Sequence, residues 1–166
     1  MPGAAQRMPW WRNTRGEAYI AVQIVLFALI AAGPLLPDLA LDLPGGVRIG
    51  LAVGGMILGA VGGALALGGL LALGDNVSIL PHPKPGAEFV ERGPYRLVRH
   101  PIYSGLILGA AGWALLHASP ITLLGAGLLL VFFDAKSRRE ERWLVRTFPA
   151  YSAYQRRVRK LIPYLY

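Results

Sequence analysis

Four apolar runs decide what this chain can fold into. Residues 18–36 are apolar but for Gln23 and carry no charge. Nineteen residues of helix reach about 28 Å, close to the ~30 Å hydrocarbon core of a bilayer. Residues 47–73 form a second run, broken only by Arg48 near its start. Residues 102–116 and 121–133 form two more, separated by His117-Ala118-Ser119-Pro120. A chain of 166 residues that is 54% hydrophobic and only 16% charged suits a polytopic membrane protein better than a soluble domain.

The ends of these runs carry the punctuation a membrane topology needs. Residues 1–17 are polar and basic through Arg7, Arg12 and Arg15, and Trp10 and Trp11 stand where interfacial anchors stand. A basic start before an apolar run also describes a signal peptide, with Ala31-Ala32-Gly33 as a cleavage region. The run is long for that purpose, and a further hydrophobic span follows. Residues 37–46 make a short loop with two prolines, Asp38 and Asp42. Within the second run Gly55, Gly59 and Gly63 recur every fourth residue, with Gly50, Gly54 and Gly62 beside them. Such spacing lets a helix approach its neighbours closely. A phosphate-binding glycine loop would need a preceding strand and a GxGxxG or GxxxxGK pattern, and neither is present.

Residues 102–133 admit one long helix or a hairpin of two short ones. One helix would place Arg92, Arg96 and Arg99 across the membrane from Lys136, Arg138 and Arg139. A hairpin puts both clusters on one side, as the positive-inside rule prefers. Of the 17 Lys and Arg, three precede the first span, four lie in 74–101 and nine follow residue 133, leaving Arg48 alone on the far side. The expected fold is therefore all-α and polytopic, a single domain over 1–166. Its four transmembrane helices cover about 18–36, 47–73, 102–117 and 121–135, and both termini are cytoplasmic. Each arm of the hairpin is short for a full span and must thin the bilayer or extend into polar residues. The fourth helix continues with alternating charge to Phe148. After Pro149, residues 151–160 read as a basic, aromatic interfacial helix.

Several chemistries are excluded by composition. With no cysteine there is no disulfide, no thiolate nucleophile and no cysteine-held metal or cluster. Three histidines without an HxxxH pair do not make a metal site, and none is expected. The net charge of +8 could suggest nucleic acid, but cytoplasmic loops of a membrane protein produce the same excess, so no nucleic-acid partner is expected.

What remains is a polar constellation at the cytoplasmic membrane edge. Residues 93–105, GPYRLVRHPIYSG, bring Tyr95, Arg96, Arg99, His100 and Tyr103 to the start of the third helix, where Pro101 suits the first turn. The hairpin returns Lys136, Glu140 and Glu141 to the same edge. Lys136 and Glu140 share a helix face, and Glu141 has Arg138 three residues back. Each has a plainer use. Arg96 serves as a positive-inside anchor, either glutamate could be a solvated surface residue, Tyr103 could belong to an interfacial belt, His82 is structural, and His117 sits in the opposite turn. The residues alone give a polar site at one face of a helical membrane protein.

The stretch from Phe89 to Gly105, FVERGPYRLVRHPIYSG, resembles the signature of the isoprenylcysteine carboxyl methyltransferases and their phospholipid methyltransferase relatives. The likeness continues in order through Glu140-Glu141, Leu144, Phe148, Tyr151, Tyr154, Val158-Arg159 and Ile162-Pro163, with Pro149 where the family usually has glycine. It covers about residues 74–163; the first two helices carry no signature. The resemblance implies an integral membrane enzyme that transfers a methyl group from S-adenosylmethionine to a lipophilic acceptor, a prenylated compound, lipid or hydrophobic small molecule, in a bacterial-type inner membrane. By position it implies a cofactor pocket from segments 74–105 and 134–163, with Ala87, Glu88, Phe89, Val90, Tyr95, His100, Pro101, Tyr103 and Glu140. It leaves Arg99, Lys136 and Glu141 as candidates for the chemistry, Glu141 as a base if the acceptor is an amine. Lys136 stands where eukaryotic members have a substrate-holding arginine; it keeps the charge without the planar fork. The alternative is a non-catalytic scaffold or subunit that keeps the fold, and it should have lost His100 or the glutamates.

Overall fold

A computed structural model describes residues 17–36, 41–76, 86, 88–163 and 166. Five α-helices follow one another: α1 (Glu17–Ala32), α2 (Gly45–Leu73), α3 (Pro101–Leu116), α4 (Pro120–Thr147) and α5 (Tyr151–Arg157). Among the described residues three stretches are long and apolar enough to cross a membrane, namely Ala18–Leu35, Gly45–Asn76 and Pro120–Thr147. Their outward side chains are apolar, with Ile24 and Leu29 on α1, Met56 and Leu71 on α2, and Leu124 and Val131 on α4 all exposed. Such surfaces suit lipid, and the chain is an integral membrane protein. α3 has 16 residues, about 24 Å of helix, which is less than the crossing length the four-span reading wants.

The expected hairpin is present. Pro101 and Pro120 open α3 and α4 at positions where a missing N–H costs nothing. Ser119 caps α4, its Oγ accepting from the Thr122 N–H at 3.3 Å, and Ala118 takes the left-handed conformation (φ 47°) that turns the chain back. In space α3 packs between α2 and α4, while α1 packs on α4.

The α2–α3 contact depends on glycines, though not at the fourfold spacing read from the sequence. Gly55, Gly62 and Gly69, seven residues apart, are the buried ones. A methyl group on Gly55 would lie 2.5 Å from the Gly112 carbonyl oxygen, and one on Gly62 2.6 Å from that of Gly105. Gly50, Gly54 and Gly63 face open space at the same position. A sevenfold repeat is what two helices crossing at a shallow angle present to each other.

The chain after α4 does not stay apart from the bundle. α5 has seven residues, and its Tyr151 and Tyr154 are buried with Val158 against Phe89, Leu144 and Phe148. Beyond it the chain runs parallel to Val98–His100: Arg99 N–H donates to the Arg159 carbonyl at 2.8 Å and His100 N–H to that of Lys160 at 3.1 Å. Ser104 Oγ donates to the Leu161 carbonyl at 2.6 Å, and Lys160 Nζ lies 2.6 Å from Asp134 Oδ1. Four links therefore hold the last segment between the start of α3 and the middle of α4.

Candidate active site

The polar cluster forms where this last segment, the start of α3 and the C-terminal half of α4 meet. A 3-10 turn at Gly93–Arg96, made possible by Gly93 at φ 58°, delivers Val98–His100 to the end segment. His100 precedes Pro101, so it stays out of the helix and its ring can turn toward α4.

Glu141 is the hub. Arg99 Nε donates to its Oε1 at 2.7 Å, His100 Nε2 lies 3.1 Å from the same oxygen, and Gln155 Nε2 donates to Oε2 at 3.0 Å. Since an ionised carboxylate only accepts, Nε2 of His100 carries the proton of that bond. Arg99 Nη1 donates to the carbonyls of Gln155 (3.1 Å) and Val158 (2.6 Å), and Nη2 to Glu141 Oε2 at 3.5 Å. Both members of the pair are almost buried, with side-chain exposures of 12% and 11%. Glu141 is thus saturated by donors. The Arg138 expected on its face pairs instead with Asp134 at 2.8 Å, four residues back on the same helix.

Glu140 is built differently. Tyr103 Oη donates to its Oε2 at 2.9 Å and His100 Nδ1 stands 3.7 Å from that oxygen, but the side chain keeps 27% exposure. An aromatic stack supports it: the His100 and Tyr103 rings are 5.3 Å apart and nearly parallel, and Phe133 lies 4.5 Å beyond Tyr103.

Lys136, expected to work with Glu140, makes its hydrogen bond elsewhere. Its Nζ donates to Gln23 Oε1 of α1 at 2.7 Å and lies 5.3 Å over the Tyr103 ring. The residue is 2% exposed. Gln23, the lone polar residue of the first apolar run, is thereby drawn to the cluster.

Of the other expected residues, Tyr95 is buried and its carbonyl accepts from Tyr154 Oη at 2.6 Å. Phe89 packs edge-on against Tyr151 (5.8 Å) and Tyr154 (5.3 Å). Pro101 is buried at the helix start, Glu88 is exposed with its N–H on Asn76 Oδ1 at 2.9 Å, Val90 is half-buried, and Ala87 lies outside the described residues. Gln155, Tyr151 and Gln23 were not foreseen. Burial pushes the Tyr95, Tyr151 and Tyr154 hydroxyls well up, with the Glu140 charge adding at Tyr95 and both glutamates adding at Tyr151. All three remain neutral donors near neutral pH. Tyr151 Oη is buried and has no hydrogen-bond partner among the described residues.

An apolar groove of about 510 Å³ runs along α3 beneath this cluster. Phe27 and Ala31 of α1, Gly62 and Ala66 of α2, and Leu106 and Trp113 of α3 line it. Phe27 is one helical turn from Gln23, and Leu106 one turn from Tyr103, but neither Gln23, Tyr103 nor Lys136 lines the groove itself.

The family model described as phospholipid methyltransferase matches residues 51–151. Among curated proteins, the cobalt-zinc-cadmium resistance protein CzcN of Cupriavidus metallidurans is 32% identical over 111 residues, 66% of this chain and 50% of that protein. A rice (Oryza sativa) protein described as a probable protein-S-isoprenylcysteine O-methyltransferase is 29% identical over 86 residues, 51% of this chain and 45% of its own length. The nickel-cobalt-cadmium resistance protein NccN of Alcaligenes xylosoxydans is 36% identical over 85 residues, 49% of this chain and 39% of that protein. The chain spans about half the length, or less, of the curated relatives it matches.

Proposed function

Because the chain belongs to the phospholipid methyltransferase family, we propose that it transfers a methyl group from S-adenosylmethionine to a lipophilic acceptor at the cytoplasmic face of a bacterial-type inner membrane. The observation that carries this reading is the position of Glu140. It is a half-open carboxylate, oriented by Tyr103 and flanked by His100.

The cluster suits the cofactor's chemistry. S-adenosylmethionine carries ribose hydroxyls and an α-ammonium that donate, a carboxylate that accepts, and a sulfonium cation. Glu140 offers an acceptor with an open side, and Tyr151 a buried donor with no partner. When bound, the cofactor supplies a methyl carbon activated by the positive sulfur.

The residues of the chain then have positional tasks. Glu140, Tyr95, Tyr103 and His100 would hold the cofactor, with Glu88, Phe89 and Val90 of the preceding segment contributing to the pocket. Arg99 and Glu141 touch neither reactant; they fix His100 and the end segment. With Glu141 saturated, it is a poor base, and alignment of the acceptor in a water-poor pocket does most of the work. The groove takes the acceptor's apolar part. In this reading the excess of Lys and Arg favours cytoplasmic termini, and a four-span topology would use α3 and the apolar half of α4 in a locally thinned bilayer.

Membranes from cells overproducing the protein, supplied with S-adenosylmethionine labelled in its methyl group, should transfer label to an organic-extractable product. Glu140→Ala and His100→Ala should abolish that transfer. Label transfer that persists in both variants would reject the site, and none in wild type would reject the activity.

A further inference from the structure

Lys136 and Glu140 stand four residues apart on α4, the spacing at which an ammonium and a carboxylate on one helix normally meet. They do not pair here. Lys136 Nζ donates to Gln23 Oε1 of α1 at 2.7 Å and lies 5.3 Å over the Tyr103 ring, whereas Glu140 Oε2 accepts from Tyr103 Oη at 2.9 Å. Among the described residues no carboxylate forms an ion pair with Lys136, although the residue is only 2% exposed. A buried ammonium with a neutral partner is driven toward any carboxylate within its reach. Some contact must hold it off Glu140, and the hydrogen bond that Lys136 makes goes to Gln23. Gln23 is itself held in place. One helical turn before it, Tyr19 packs on Phe132 of α4 with ring centroids 5.8 Å apart, and the Arg139 guanidinium lies 5.7 Å over the Tyr19 ring. Gln23 lies outside residues 51–151, the part that the family model matches.

We propose that Gln23 is a positioning residue of the candidate active site: by holding Lys136 toward α1 it keeps Glu140 unpaired with the lysine and open to the cofactor. The flexible four-carbon stem of Lys136 lets Nζ swing toward α1 or along α4. With Gln23 present the ammonium stays at α1, and Glu140 keeps both its bond from Tyr103 and its open side. Without an acceptor on α1, Nζ turns to Glu140 and occupies the oxygens that the cofactor's donors would use. A glutamine suits this task because its carbonyl accepts from the ammonium without adding a charge to an apolar span. Gln23 touches neither reactant and acts through Lys136. The inference rests on the reading of Glu140 as a cofactor ligand; the choice of partner by Lys136 stands on the geometry of α1 and α4 alone.

The test uses the whole protein in neutral detergent, with S-adenosylhomocysteine titrated by calorimetry and thermal melts recorded without ligand. Gln23→Met keeps the length of the side chain and the apolar character of the span while removing the acceptor. It should weaken S-adenosylhomocysteine about tenfold, the loss expected when a charged hydrogen-bond partner is taken up elsewhere. Gln23→Met combined with Lys136→Met should recover most of that loss, because the competing ammonium is gone. A role of Gln23 in helix packing alone predicts no such recovery. In the ligand-free melts, the effects of Lys136→Met and Glu140→Gln should add in wild type. In the Gln23→Met background they should fall short of additivity, since the two side chains pair there. Undiminished binding by Gln23→Met, no recovery in the double variant, or equal coupling in the two backgrounds overturns the proposal. A wild type that does not bind S-adenosylhomocysteine, with melts that differ between the backgrounds as described, supports the hold on Lys136 and rejects the cofactor reading.

Discussion

Arg99 Nε lies 2.7 Å from Glu141 Oε1, joining residues 42 apart in sequence, and the same guanidinium caps the carbonyls of Gln155 and Val158. One side chain thus fastens the turn before α3, the C-terminal half of α4, and α5 with the residue that follows it. The fork geometry matters, since three directions are used at once. Removing one partner from a nearly buried pair leaves the other charge uncompensated. Arg99→Leu should therefore cost about 3 kcal/mol of stability and lower the melting temperature in detergent. Arg99→Lys should recover part of it.

Two tyrosines of α5 should respond oppositely to loss of their hydroxyls. Tyr154 Oη donates to the Tyr95 carbonyl at 2.6 Å, so Tyr154→Phe should cost about 1 kcal/mol. Tyr151 Oη has no partner, so Tyr151→Phe should leave the melting temperature of the ligand-free protein unchanged or raised. In the proposed pocket that hydroxyl donates to the cofactor, so Tyr151→Phe should weaken S-adenosylhomocysteine about tenfold. Thermal melts with and without that ligand check both halves.

The two kinds of glycine on α2 separate cleanly by substitution. A methyl group on Gly62 would meet the Gly105 carbonyl at 2.6 Å and the Gly109 nitrogen at 2.9 Å, both backbone atoms that cannot step aside. Gly62→Ala should destabilise by about 1–3 kcal/mol through forced helix separation. Gly54→Ala meets nothing within 4 Å and should gain up to about 1 kcal/mol from helix propensity. Equal effects of the two would contradict the α2–α3 packing.

Much of this arrangement was legible from residue types and their order. Uncharged runs marked the long helices, the asymmetry of Lys and Arg favoured the hairpin, and the motif from Gly93 to Gly105 with Glu140-Glu141 marked the cluster. The partners were less legible, because they depend on side-chain reach across segments distant in sequence. Glu140 and Glu141 are adjacent and chemically alike, yet a rotation of one residue along α4 turns one toward Arg99 and the other toward Tyr103. The glycine repeat at four was a real pattern, but contact with α3 selects the sevenfold subset. Gln23 carried a visible signal, as the polar residue in an otherwise apolar span, with nothing in sequence to name Lys136 as its partner. Residues 158–161 gave no strand signal, since a parallel bridge of two or three residues leaves no periodicity.

Calorimetric titration of the purified protein with S-adenosylhomocysteine tests the central assignment most directly. Wild type should bind one equivalent. Glu140→Ala should abolish detectable binding, whereas Arg96→Ala, which alters an exposed residue of the same loop, should bind as wild type. Absence of binding by wild type, or undiminished binding by Glu140→Ala, would contradict the assignment of this cluster as a cofactor site.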